Sequence, residues 1–230
     1  LDATNLQIFS QISGGQSALS GGLYVDPKYA DDPKSLDGSA GFMYQEGTVT
    51  YYYASKCIEY LGLDESKQNL INTDSSQTRL ALIQKGGASA VYANGSEAKY
   101  IEEAGWVQVA TSQEIGIQTG SYFLSTDKYI SENTDTLAKF LQAVDESTQY
   151  INDHLDESAE YLADKLGLKA EDFKENWKNY SFEPGFSEEA TTHLEDIEKW
   201  GFEHGSFPKD YNVRDFINTD VAKIAFPDNV

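Results

Sequence analysis

The chain has 230 residues, enough for one large domain or two smaller ones with their own cores. Hydrophobic residues make up 40% and charged residues 24%, the balance of a globular chain and not of a disordered one. The 38 acidic and 17 basic residues give a formal net charge of −21, a surface that repels nucleic acid and anionic lipid. Such acidity has two readings: a solvating coat, or a face matched to a basic partner.

Cys57 stands alone, so no intrachain disulfide and no cysteine-based metal site can form. No stretch reaches the roughly 18 apolar residues of a membrane span. No signal peptide is present, and the chain starts at Leu1 without a methionine; a leader or longer segment is therefore expected to have been removed.

In chain order, residues 1–25 read as a strand, glycine-rich turns at Gly14-Gly15 and Gly21-Gly22, and a short strand at Leu23-Tyr24-Val25. Asp26 to Gly38 holds Pro27, Pro33 and Gly38 and reads as a connector. Ser39 to Tyr44 reads as a strand. Gly47 is expected to open a helix to about Leu61, with Tyr51, Ala54, Ile58 and Leu61 on one face and Gly62 as its stop. Asn69 to Thr73 reads as a strand. Asp74-Ser75-Ser76-Gln77 predicts a capping box with Asp74 as cap. It starts a helix that turns Leu80 and Ile83 inward and ends near Gly86-Gly87. Ala88 to Ala93 reads as a strand, Gly95 to Ala104 as a helix, and Trp106 to Ala110 as a strand. Residues 39–110 thus alternate strand and helix, the signature of a largely parallel sheet covered by helices.

After Gly120 the pattern changes. Ser121 to Thr126 is one more strand, and helices then dominate. Thr134 to His154 presents Leu137, Phe140, Leu141, Val144 and Ile151 on one face. Asp156 to Leu166 turns Ala159, Leu162 and Ala163 inward. Ala170 to Asn179 pairs Phe173 with Trp177. Ser187 to His204 presents Leu194, Ile197 and Gly201, and the tail from Phe207 is mixed.

Several of these segments resemble one family: the solute-binding proteins of ABC importers for nitrate, sulfonate, taurine and thiamine precursors. Ser35-Leu36-Asp37-Gly38 resembles its "dLkGk" connector. Gly41-Phe42-Met43-Tyr44 and Gln45-Glu46-Gly47-Thr48 resemble its strand followed by a "GS/GT" helix start. Tyr60-Leu61-Gly62-Leu63 resembles the "aGl" helix end. Arg79 to Ala90 resembles "al..G.vDA", with Ser89 where the family has Asp. Tyr122 to Thr126 and Asn133 to Thr136 resemble the returning strand and helix, and Trp200 to Phe207 with Val213 to Asn218 resembles the ending. The match runs in order over roughly residues 20–220.

The resemblance implies an α/β, type II periplasmic-binding-protein-like fold of two lobes joined by crossovers, with a helical C-terminal part. Residues 1–26 would be the crossover and a lobe-one remnant, 27–118 lobe two, and 119–230 the return to lobe one with the C-terminal helices. Family members open lobe one with a strand, a helix and further strands that have no counterpart here. Lobe one is therefore expected to be incomplete, the chain being a fragment or completed by another copy or segment. The implied function is capture of a small solute in an inter-lobe cleft that closes by a hinge, for delivery to an ABC permease outside the cytoplasm, in the periplasm or on a lipid anchor. No cofactor, metal or catalytic residue is implied.

Candidate ligand contacts are Gly47, Thr48 and Thr50, where a helix start offers free N–H groups suited to an anion. A plain cap by Thr48 explains the same residues. Of Tyr51-Tyr52-Tyr53, Tyr51 is assigned to the core, and Tyr52 or Tyr53 to the cleft as a platform for a planar ligand such as a pyrimidine, with packing as the other explanation. Ser76 lies at a helix start after a strand, where α/β sheets bind ligands, although the capping box also accounts for that turn. Tyr92 and Asn94 end a strand. Gln11 and Gln16 are placed at the crossover, and Arg79 in a surface ion pair.

Two other functions compete. A related branch makes the thiamine pyrimidine with a histidine-rich, iron-dependent site. Here His154, His193 and His204 are not spaced as a metal pair and read as surface residues. There is no His-Glu-x-x-His, Gly-x-Ser-x-Gly or phosphate loop. A sensor module of the same fold is the other alternative.

Overall fold

The computed structural model describes residues 5–13, 21–36, 41–118, 120–178 and 184–228. Gly14-Gly15, Gln16, Asp37, Gly38, Ser39 and Asn179 lie outside them. In chain order the elements are β1 (Leu6–Ser13), β2 (Gly22–Val25), β3 (Gly41–Tyr44), α1 (Thr50–Tyr60), β4 (Asn69–Asn72), α2 (Ser76–Gln84), β5 (Ala90–Ala93), α3 (Gly95–Glu103), β6 (Val107–Thr111) and α4 (Ser112–Ile115). There follow β7 (Ser121–Thr126), α5 (Asp127–Asp153), α6 (Leu155–Leu166), α7 (Ala170–Trp177), α8 (Glu188–Glu203) and α9 (Asp220–Ala225). The chain divides into two compact units, Leu19–Ile117 and Leu1–Ala18 with Gln118–Val230.

The Leu19–Ile117 unit is built on a sheet of order β4-β3-β5-β2-β6. β3 pairs in parallel with β4 and β5, while β2 runs antiparallel to β5 and β6. The expected alternation is present, and one strand corrects its grouping: Leu23–Val25, read with a lobe-one remnant, sits between β5 and β6 inside this sheet. The local pattern gave no warning, because a short apolar strand looks the same in either sheet. Both faces of β5 are used, as its period of two requires. Val91 and Ala93 join Tyr24, Met43, Ile83, Ala98, Ile101 and Trp106 in a core under α2 and α3. Tyr92 turns the other way, its ring 4.5 Å from that of Tyr53 on α1.

Helix α1 begins at Thr50, not at Gly47, which holds φ +73 in the preceding turn. Its packed stripe is Tyr53, Ala54, Cys57, Ile58 and Leu61, with Tyr52 also buried. Tyr51, assigned above to the core, lies at the margin of that stripe. Its ring is 4.8 Å from that of Tyr44 and its hydroxyl bonds Glu65. The cap of α2 is also shifted by one residue. Ser75 Oγ accepts from the Thr78 N–H, and Asp74 instead accepts from the Thr78 and Ser75 hydroxyls. The box forms elsewhere: Thr111 and Glu114 cap α4 reciprocally.

The other unit pairs β1 antiparallel with β7. Further bridges join Ile8 to Ile217 and Gln11 to Gly185. Phe9, Ile130, Ala138, Leu141, Val221 and Ala225 form its main core, with Phe123 packed beside them. α5 starts seven residues before the expected Thr134 and breaks at Asn133, whose φ of −134 is not helical. Phe140 is 43% exposed, so Ala138 and not Phe140 fills the inner position. α6 and α7 enclose a second core of Ala159, Ala163 and Phe173, with Trp177 stacked on Phe173 at 5.6 Å.

Candidate functional site

Strands β3 and β4 run side by side and end together at Tyr44 and Asn72. The turns that leave them feed α1 and α2. Parallel strands of an α/β sheet commonly present ligands at their carboxyl ends, because loops and helix starts converge there. An open cavity of about 600 Å³ lies at this point, lined by Gln45, Glu46, Gly47, Asn72, Thr73, Asp74 and Thr78.

The two turns are tied to each other and to themselves. Asn72 Nδ2 donates to Glu46 Oε2, and the Glu46 N–H donates to Asn72 Oδ1, at 3.1 and 3.0 Å. Thr73 Oγ1 donates to the Tyr44 carbonyl at 2.7 Å. Thr50 Oγ1 accepts from the Gln45 N–H, Thr48 Oγ1 donates to the Gln45 carbonyl, and the two hydroxyls are 2.8 Å apart. The Thr50 N–H donates to Thr48 Oγ1 at 3.3 Å. Thr48 therefore makes a bond at the helix start, and both threonine hydroxyls also hold the turn. Gly47 is exposed, and a Cβ there would meet open space, so the backbone at the rim is bare.

The electrostatics differ from the anion-friendly pole expected of a helix start. Glu46 and Asp74 both stand on the cavity wall. Hydrogen bonds from the Thr78 and Ser75 hydroxyls hold the Asp74 carboxyl below the usual carboxylate range, so it is ionised at neutral pH. Behind the wall lies Arg79, corrected here from a surface pair to a buried one. It is 7% exposed and its Nε donates to Glu97 Oε1 at 2.6 Å.

The other candidates are placed separately. Ser76 is the first residue of α2, and Arg79 Nη2 donates to its hydroxyl at 3.3 Å. Tyr52 and Tyr92 are both buried, with Tyr53 between their rings. Tyr92 shares a 2.9 Å hydrogen bond with Ser112, and burial pushes its phenol up to about 12. Asn94 is exposed before α3 and makes no side-chain cap. Gln11 belongs to the other unit, where its N–H donates to the Gly185 carbonyl at 2.7 Å. The cavity therefore gathers Gly47, with Thr48, Thr50 and Ser76 beside it. Gln45, Glu46, Asn72, Thr73 and Thr78 were missed. The signal for them was available, since each is a polar residue at the carboxyl end of a parallel strand, in the following turn or on the first turn of the helix it feeds.

A smaller cavity of about 340 Å³ in the other unit includes Ser187, Glu188, Thr191 and Arg214. Its guanidinium is engaged by Glu188 and Glu195. Among the described residues, no group of three His, Cys, Asp or Glu side chains is arranged to hold a metal ion. His193 is buried, a correction to its surface assignment, while His154 and His204 are exposed. No helix of the described residues is long and apolar enough to cross a membrane.

The fold is shared with solved proteins. The periplasmic aliphatic sulphonate binding protein SsuA from Escherichia coli matches with a TM-score of 0.78 at 16% identity, over 94% of this chain and 70% of that one. The alkanesulfonate-binding protein SsuA from Xanthomonas axonopodis pv. citri, bound to MOPS, matches with a TM-score of 0.75 at 14% identity, over 94% and 74%. The desulfurization enzyme DszB matches with a TM-score of 0.68 at 11% identity, over 98% and 80%. These likenesses establish the α/β, periplasmic-binding-protein-like fold. No curated protein matches the sequence. The NMT1/THI5 like family model matches residues 3–158. That span holds the whole five-stranded unit with β1, β7 and α5, and the chain belongs to the NMT1/THI5-like family.

Proposed function

We propose that this chain is the solute-capturing component of an ABC importer, working outside the cytoplasm and handing a small molecule to a permease. The observation that carries this reading is the fold match along 94% of the chain to two sulfonate-binding proteins. The cavity at the ends of β3 and β4 is where such a fold would offer one wall to a ligand. We place Gly47, Thr48, Thr50 and Ser76 on or beside that wall. Binding alone is the task, so no catalytic group is required.

The wall also bears on ligand class. Sulfonate, nitrate and a planar thiamine-pyrimidine precursor are the solutes the resemblance suggests. Glu46 and Asp74 oppose an anion at this wall, while amides and carboxylates match the ring nitrogens and amino group of a pyrimidine. A planar, amine-bearing solute is therefore favoured over a sulfonate. The test is a thermal-shift panel of methanesulfonate, MOPS, taurine, nitrate and 4-amino-2-methylpyrimidine. A ligand at a hundred times its Kd adds roughly 2.7 kcal/mol and raises Tm by several degrees. A panel in which none of these shifts the protein counts against the binding role.

An enzymatic reading has one specific support, the likeness to DszB. Cys57 does not supply a thiol nucleophile for it. Cys57 is fully buried and burial pushes its thiol far up, so it carries no thiolate at neutral pH.

A further inference from the structure

The Arg79 guanidinium joins three elements. Its Nε donates to Glu97 Oε1 on α3 at 2.6 Å. Its Nη1 donates to Thr73 Oγ1 at 3.4 Å, just past the end of β4, and its Nη2 to Ser76 Oγ at 3.3 Å, on the first turn of α2. The side chain is 8% exposed, so these bonds form largely out of water. Thr73 is itself 1% exposed and is held a second time by the Tyr44 carbonyl at the end of β3. Thr73, Asp74 and Thr78 form one side of the cavity, and Ser76 lies among them in sequence.

Ion pairing alone would not need this arrangement. A lysine could meet Glu97, but a compact ammonium on a flexible stem cannot at once span Glu97 on α3, Thr73 past the end of β4 and Ser76 on the first turn of its own helix. The planar fork of arginine can. Thr73 lines the cavity, Ser76 opens the helix that follows the turn, and Glu97 stands on α3, outside the cavity lining. A mainly stabilising ion pair would place its bonds between scaffold elements. This one sends a bond to Thr73, in the turn from β4 to α2, and another to Ser76, where that turn enters the helix.

We propose that Arg79 is a positioning residue for ligand binding, which fixes the β4–α2 turn, and with it the Thr73–Thr78 wall, in the conformation that a solute meets. This inference rests on the solute-binding reading. It makes two separable claims. The Thr73 and Ser76 bonds set affinity, by sparing the ligand the cost of ordering the turn. The Glu97 bond sets stability.

The experiment compares Arg79→Lys and Glu97→Gln with the wild type, by Tm and by calorimetric titration of each compound in the panel above. Arg79→Lys keeps a cation for Glu97 and loses the fork, so Tm stays within a few degrees of wild type and affinity falls about tenfold. Glu97→Gln keeps an acceptor and the fork, so Tm falls while affinity stays within about twofold. Three results overturn the inference: Arg79→Lys binding as tightly as wild type, affinity falling only in step with Tm in both variants, or Glu97→Gln losing the larger share of affinity. A wild type that binds nothing in the panel removes both the solute-binding reading and this one. Wild-type binding with an unchanged Arg79→Lys removes only this one.

Discussion

His193 shows how much a single residue's setting escapes its sequence. On α8 it falls with Ala190, Thr191 and Gly201 on the buried side, and only 8% of it is exposed. Burial lowers its pKa, opposed by the charges of Asp196 and Glu189 and by a bond to the Gln118 backbone. A lowered folded-state pKa means that the fold prefers the neutral ring. The resulting stability is present above the unfolded value near 6.5 and is lost as pH falls through the folded one. Tm should therefore decline between pH 7 and pH 5, and His193→Gln should remove about 1–3 °C of that decline. Carboxylates such as Glu188 and Asp74, whose pKa values are lowered, act below pH 4.5 and leave this window clear. Equal slopes for the variant and the wild type over that window would show that burial of His193 carries no linkage. Arg79 makes the same point. Its mid-helix position suggested a surface pair, because the sequence does not show that Glu97, 18 residues on, closes over it.

At the scale of elements, the alternation of strands and helices over 39–110 was legible because period and glycine punctuation agree there. What failed was phase and partner choice. Asp74 and Ser75 are both good caps, and which one caps α2 depends on one residue of register. Ser75→Ala should lower stability by about 1 kcal/mol, and Asp74→Ala by less, since Asp74 bonds hydroxyls and not the free N–H groups of the helix. Urea unfolding of the two variants checks the order, and an Asp74→Ala loss at least as large would restore Asp74 as the functional cap. Strand β2 illustrates partner choice. It enters the sheet at Gly22, where an added Cβ would clash with the Ala110 carbonyl and the Gln108 amide on β6. Backbone cannot yield as a side-chain end does, so Gly22→Ala should cost roughly 1–3 kcal/mol. The glycine pair reads as a turn in the sequence, and only the packed sheet shows that the second glycine also permits a close strand approach.

Across the molecule, two terms of opposite sign compete. The net charge of −21 makes the compact state repel itself. Against this stand surface ion pairs such as Arg214 with Glu188 and Glu195, and Lys174 with Asp156 and Glu171. Exposed pairs of this kind contribute about 0–1 kcal/mol each and are screened by salt. With 38 acidic residues against 17 basic ones, most carboxylates have no cation available to offset them. Repulsion should therefore dominate. Raising ionic strength from about 0.01 M to 0.15 M shortens the screening length from roughly 30 to 8 Å, which quiets repulsion between distant carboxylates before it weakens contacts of about 3 Å. Tm should rise by several degrees over that range in sodium chloride, measured by calorimetry at pH 7.5, where His193 is neutral. The Arg79–Glu97 pair, buried on its arginine side and only partly exposed on the other, should contribute little to the slope, so Glu97→Gln should keep nearly the same salt dependence at a lower Tm. A Tm that falls with salt would mean that the few paired cations outweigh the many unpaired acids, and that the charge distribution is arranged for local pairing and not for solvation.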